Sequence, residues 1–386
     1  TFSLFQTPIH LVNYPFKSPT IIYDIFLNLD NNNSMKHIKR NILISIFLLM
    51  IISIINIYNA KYLNSLYTYY YIKDIIWYVL GFITFFFITK INTKKIFNIS
   101  FILYIINIVL LILTLIIGKE INGSKGWLKI GNISIQPSEF MKLTLTLFLI
   151  KVSLIKEKNS KNILKLIIIT FIPSLLVFLE PDTGGVIFYI IIFITILFTK
   201  NINKKYKIIL GISLFLIFIS GIYLIKNPLL IQNIFNNESY RIKRILNYKQ
   251  SYQMDMALTN IYSTPVIRNG FNKILLYLPE GITDFILDFT IGNFGFISLY
   301  VILLLYLNII FNLCKLIKSS NDKKTNYLII SFIIMFFINI AINVSMNLGT
   351  FPIIGITLPF LSYGGSSLLF YFIFIGLIFS LVNKDT

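Results

Sequence analysis

The stretch NILISIFLLMIISIINIYN, residues 41–59, carries no charged side chain. At 1.5 Å of rise per helical residue, an apolar run of this length matches the roughly 30 Å hydrocarbon core of a bilayer. Working outward, runs of similar character recur at about 74–90, 97–118, 137–155, 163–180, 184–199, 207–225, 285–313, 326–347 and 362–382. Composition agrees: 56% of the 386 residues are hydrophobic and 13% charged, with a mean hydropathy of +0.79. Soluble domains rarely reach such values. The pattern predicts an all-α, polytopic membrane protein of ten transmembrane helices, with residues 35–386 as a single domain and a large outer loop at about 226–284 between the seventh and eighth helices. Residues 1–34 are expected to be a disordered or extraneous leader, because Met35 and its basic followers lead directly into the first span.

The net charge of +19 raises nucleic acid as a partner, but the lysines do not form one patch. Lys36, Lys39 and Arg40 precede the first span, Lys90, Lys94 and Lys95 follow the second, and Lys156, Lys158 and Lys161 follow the fourth. Lys200, Lys204 and Lys205 follow the sixth, and Lys315, Lys318, Lys323 and Lys324 the eighth. Every even-numbered connection is basic, which orients both termini to the cytoplasm and argues against nucleic acid. Cys314 is the only cysteine, so the chain has no internal disulfide. His10 and His37 both precede the first span, which disfavours a histidine-based site.

The remaining connections therefore face outward, and they hold most of the turn-forming and acidic residues. In GSKGWLKIGNISIQPSEFMK (residues 123–142), Pro137 suits a helix start, and Glu139 and Lys142 lie three apart on one face. Trp127 there is either an interfacial anchor or part of a polar wall. EPDTGG (180–185) is a tight turn whose Asp182 either closes the turn or accepts a bond from a cation such as Lys142. NNESYRIKRILNY (236–248) sets Arg241 and Arg244 three apart, either gripping a diphosphate or facing anionic headgroups.

LPEGITDFIL (278–287) puts Asp284 at the start of the eighth span, where a helix dipole favours its charge and a low dielectric opposes it. It is either an N-cap or a proton acceptor. NLGTFPIIGITLPFLSYGGSS (347–367) has too many Pro and Gly residues for a helix. Such backbone at membrane depth must pack in protein or line a cavity.

Taken together and in order, GSKGWLKIG…QPSEFMK, EPDTGG, YLPEGITDFI and GITLPFLSYGGSS resemble the SEDS family, the RodA/FtsW/SpoVE peptidoglycan polymerases of bacteria. The resemblance runs from about residue 60 to the end of the chain, and the wording of the last motif lies nearer the division branch than the elongation branch. It implies a ten-helix fold that polymerises lipid II on the outer face of the cytoplasmic membrane, beside a class B penicillin-binding protein. By motif, Asp284 matches the family's essential aspartate; Glu139 and Lys142 match the acid and base of QPSExxK; Asp182 matches the acid of its PDxG turn. Arg241 and Arg244 resemble the paired basic residues of the long loop, and Lys73 stands where relatives often carry a base.

The sequence also departs from the pattern. Gly126 replaces the arginine usual before the motif tryptophan, with Lys125 one residue earlier; Ile282 replaces a histidine; Gly292 and Asn293 replace an acidic pair. The resemblance implies no fixed cofactor, and a divalent cation at the diphosphate is compatible with it. A lipid-linked sugar transporter and an inactive scaffold for the penicillin-binding protein are the competing readings.

Overall fold

The computed structural model describes residues 20–121, 123–131, 133–156, 159–200, 205–208, 211, 251–268 and 278–385. The elements run α1 (Thr20–Ala60), α2 (Tyr70–Lys90), α3 (Thr93–Ile117), β1 (Lys119–Ile121), β2 (Ser124–Ile130), β3 (Ile133–Ile135), α4 (Pro137–Ser153), α5 (Asn159–Leu179) and α6 (Thr183–Thr199). After the described part of the long loop come α7 (Tyr252–Ser263), α8 (Ile286–Phe294), α9 (Ile297–Ser319), α10 (Lys323–Asn347) and α11 (Gly365–Asp385).

Seven helical segments are long and apolar enough to cross a membrane, and Thr183–Thr199 is a shorter apolar helix. The expected ten spans are redrawn in several places. The span expected at 285–313 is two helices, because Gly295 (φ 89) breaks the run and leaves α8 as a short helix before α9. The span expected at 207–225 lies outside the described residues except for residues 207, 208 and 211. α1 begins at Thr20, so it takes in part of the stretch expected to be a disordered leader.

The all-α expectation needs one correction. β1, β2 and β3 form a three-stranded antiparallel sheet in that order, with Lys119 opposite Trp127 and Leu128 opposite Ile135. The period-2 alternation that makes strands spans only a few residues here, too short to stand out between two apolar helices. Gly131, at φ 62, supplies the left-handed residue that the β2–β3 connection needs.

α11 is the most enclosed candidate span, with 78% of its apolar window buried against 22% for the segment containing α2. Its Tyr371 and Phe374 pack into an aromatic core with Phe332, Phe336 and Phe360, at ring separations of 4.8–6.1 Å. Such contacts replace lipid contacts and therefore act through packing fit rather than water exclusion.

Polar side chains fix the helices against each other. Asn56 of α1 donates to Thr290 Oγ1 at 2.8 Å and accepts from Asn293 Nδ2 at 2.9 Å, both on α8. The irregular stretch between α10 and α11 is held in the core: Tyr78 donates to the Phe360 carbonyl at 2.7 Å and Tyr306 to that of Pro359 at 2.6 Å. Its buried carbonyls are thus satisfied without helical partners, as low-dielectric burial requires. At the start of α11, Gly365 lets the Trp77 indole approach: a Cβ there would stand 2.2 Å from the ring.

Candidate active site

Two of the four turn-rich segments meet at the N-termini of α4 and α6. Pro137 opens α4 with no need of its missing N–H, and Gln136 is the N-cap. The Gln136 side chain does not cap its own helix; its Nε2 donates to Asp182 Oδ2 at 3.3 Å, and Ser138 Oγ donates to the same oxygen at 3.2 Å. Asp182 itself caps α6, with Oδ1 accepting from Gly185 N at 2.9 Å. The aspartate is thus both the turn's cap and the link to α4. Lys142 does not bond to it.

Lys142 pairs instead with Glu139, Nζ to Oε1 at 2.7 Å. The lysine is 3% exposed and lies 4.8 Å from the Phe188 ring centroid and 5.2 Å from that of Phe370. Two aromatic faces and one carboxylate therefore stabilise the ammonium where water cannot. Glu139 Oε2 is buried and without a hydrogen-bond partner.

The other two segments are stitched together directly. Tyr363 N donates to the Ile282 carbonyl at 2.9 Å, and Ser362 Oγ to the Thr283 carbonyl at 2.6 Å. Glu280 (φ 59) and Phe360 (φ 57) hold left-handed backbone on either side of these bonds, a strain that only surrounding contacts can maintain. Glu280 Oε2 accepts from Thr283 Oγ1 at 2.6 Å. Asp284 follows in the turn before α8, half-buried, and Gly355 faces it: a Cβ on that glycine would lie 3.5 Å from Asp284 Oδ2.

The two halves join through residues 354–366. Gln136 N donates to Ser366 Oγ at 3.0 Å, and a Cβ on Gly184 would touch Ile354 and Ile356 at 3.5 and 3.2 Å. One continuous seam therefore runs from Asp182 and Gln136 through the 354–366 segment to Asp284.

Other candidate residues are less central. Lys125 Nζ turns away to the Ile116 carbonyl at 3.3 Å, and Trp127 is half-buried on β2. Lys73 is exposed and lies 5.1 Å over the Tyr70 ring, which in turn packs 4.9 Å from Tyr363. Arg241 and Arg244 lie outside the described residues. Among the described residues, no three His, Cys, Asp or Glu side chains gather as a metal-ligating group.

Several participants escaped the reading of the sequence. Asn343 and Asn347 hold the backbone of Asp284 from α10, and Ser362 and Ser366 tie the fourth segment to the third and first. Two asparagines four apart inside an apolar run are a signal in themselves, since unpaired amides in hydrocarbon are costly.

Glu180, in the turn before α6, is fully buried. Its Oε1 accepts from Thr114, and its Oε2 is unpartnered and faces Gly126, where a Cβ would stand 3.3 Å away. Burial, opposed by the Thr114 bond and reinforced by Asp182, pushes its carboxyl from 4.5 up to about 7. An acid raised on folding supports the fold fully below its ordinary pKa, and that support is lost as pH rises through about 7. Glu180→Gln is therefore expected to match the wild type near pH 4.5 and to exceed it at pH 8 by roughly 3 kcal/mol. Thermal unfolding in detergent at both pH values checks this, and equal stabilities at pH 8 would contradict it.

The sequence model described as "Cell cycle protein", for FtsW, RodA and SpoVE, matches residues 37–386. A relative named probable peptidoglycan glycosyltransferase FtsW, from Wigglesworthia glossinidia brevipalpis, is 33% identical over 85% of this chain and 88% of its own. Stage V sporulation protein E of Bacillus subtilis is 30% identical over 86% and 93%. Among solved structures, a chain of a peptidoglycan synthase complex matches with a TM-score of 0.73 at 21% identity, covering 89% of this chain and 97% of that one. Thermus thermophilus RodA matches with a TM-score of 0.66 at 22% identity, covering 89% and 96%. These last two establish a common fold. With the family model spanning almost all of the sequence and the fold shared, the chain belongs to the FtsW/RodA/SpoVE family of cell cycle proteins.

Proposed function

We propose that this chain is a peptidoglycan glycosyltransferase of the bacterial cytoplasmic membrane, polymerising lipid II into glycan strands for division or cell shape. In this reading the chain has ten transmembrane helices, both termini lie in the cytoplasm, residues 35–386 form one domain, and the site opens to the outer face. The observation that carries it is the seam linking four segments distant in sequence, with a half-buried aspartate beside the turn-rich wall at Gly355. A capped loop needs no such linkage.

The chemistry is a displacement at the anomeric carbon of the growing strand. The 4-hydroxyl oxygen of the incoming lipid II forms the new C–O bond. The bond from that carbon to the diphosphate breaks, and the polyprenyl diphosphate leaves with the electron pair. Asp284 receives the hydroxyl proton as general base. Arg241 and Arg244 on the long loop steady the leaving diphosphate, the task that planar, two-point guanidinium groups suit best. A divalent cation, when bound, would neutralise the same oxygens.

Asp182, through Gln136 and Ser138, ties the starts of α4 and α6 together beside the 354–366 wall, and Lys142, paired with Glu139, lies over Phe188 and Phe370. Lys125, Trp127 and Lys73 lie at the margin, suited to the headgroup or the interface rather than to the reacting atoms. The partner in this reading is a class B penicillin-binding protein, which cross-links the strands as they emerge.

The test is polymerisation by the purified protein with that partner and lipid II, read as glycan length on a gel. Strands many disaccharides long are expected. Folded protein that binds lipid II and yields only starting material would overturn the reading.

A further inference from the structure

Asn343 and Asn347, one turn apart on α10 and both 0% exposed, are occupied by the backbone around Asp284. Asn343 Nδ2 donates to the Asp284 carbonyl at 2.9 Å and to the Ile356 carbonyl at 2.7 Å. Asn347 Nδ2 donates to the same Asp284 carbonyl at 3.1 Å and, within α10, to the Asn343 carbonyl at 2.9 Å and to Asn343 Oδ1 at 3.1 Å. Its own Oδ1 accepts from Asp288 N at 3.1 Å.

That last bond matters because Phe285, the N-cap of α8, supplies no side-chain cap. The first turn of a helix has orphan N–H groups, and Asn347 satisfies one of them from a different helix. Each amide of the pair thus gives one bond to the Asp284 carbonyl and anchors its other donor elsewhere, Asn343 on the Ile356 carbonyl and Asn347 on α10 itself.

The geometry has a consequence for the site. Asn343 bridges the carbonyls of Asp284 and Ile356, so it sets the separation of the two segments. Gly355 is the neighbour of Ile356, and its Cβ position lies 3.5 Å from Asp284 Oδ2. The width of the gap at the carboxylate is therefore fixed by one asparagine, and the start of α8 by the other. Both side chains reach the Asp284 turn through backbone groups, the Asp284 carbonyl and the Asp288 N–H, so both act through the backbone.

We propose that Asn343 and Asn347 are positioning residues for glycosyl transfer: they fix where the Asp284 carboxylate stands relative to the wall at residues 354–356. This inference rests on the glycosyltransferase reading. Proton transfer and in-line attack depend steeply on placement, and a misplacement of about 1 Å can cost roughly 10²-fold in rate. Substrate grip, by contrast, comes mainly from groups elsewhere.

The test uses full-length Asn343→Ala and Asn347→Leu with the partner present, each normalised to the protein molecules that bind a fluorescent lipid II. A fall in kcat of about 10- to 100-fold with KM changed less than about twofold is expected. Hydrogen exchange gives a second readout that needs no activity. The Asp288 amide should exchange about tenfold faster in Asn347→Leu, while the protected amides of α9 and α10 keep their rates.

Unchanged kcat would overturn the proposal. So would exchange that rises across every helix together with a matching loss of binding sites, since that describes a merely structural role. If the wild type makes no glycan, the glycosyltransferase reading fails on its own, and the exchange arm still decides whether the two asparagines hold the Asp284 turn. If Asn343→Ala does not fold, Asn347→Leu, which keeps the bridge to Ile356, carries the same decision.

Discussion

Asp284→Asn is expected to reduce glycan polymerisation by about 10²- to 10⁴-fold while leaving folding and lipid II binding intact. The substitution nearly preserves shape while removing the negative charge and the ability to take a proton. Packing should tolerate it, because Oδ2 faces the open side of Gly355 and the Asp284 backbone carbonyl keeps its two asparagine donors. The measurement is the initial rate of strand formation per molecule able to bind substrate. Retention of more than about a tenth of the wild-type rate would remove Asp284 from the role of general base.

Lys142→Met carries the second large effect, this time on stability. The lysine is 3% exposed, and Glu139 has one oxygen in the ion pair and the other unpartnered. Taking the ammonium away strands a carboxylate whose side chain is only 15% exposed, and breaking a buried pair from one side typically costs about 3–5 kcal/mol. A markedly lower unfolding temperature in detergent is the expected outcome.

The double variant Glu139→Gln with Lys142→Met decides between charge and packing. It removes the stranded charge and should recover most of the lost stability, because replacing both members of a buried pair is often neutral. Failure of the double variant to recover would mean that the long lysine stem between Phe188 and Phe370 matters through its fit.

Much of this architecture was legible before any coordinates. Long apolar runs announce membrane helices because the bilayer sets their length, and the motif around Pro137 announces a helix start because proline at N1 removes an N–H that would be unpaired anyway. The pairing of Glu139 with Lys142 follows from their spacing on one helix face.

What the sequence hid was tertiary. The break at Gly295 sits inside a continuous apolar run, where hydropathy cannot tell a short helix plus a spanning one from a single long span. The sheet at residues 119–135 is too short for its alternation to register. Asp182 offered two partners on paper, a local cap and a distant cation. The structure gives it the local cap together with Gln136 and Ser138, because Lys142 is already held by Glu139. Nothing local marks the role of the asparagines of α10, because the Asp284 carbonyl they share is some sixty residues distant in sequence.

Liposomes containing the protein and labelled lipid II, assayed in one sample for strand formation and for movement of the headgroup across the bilayer, test the catalytic assignment most directly. Glycan that accumulates in the wild type and vanishes in Asp284→Asn, with no headgroup crossing in either, is the predicted result. Headgroup crossing without polymer, indifferent to Asp284, would contradict it and make the chain a transporter.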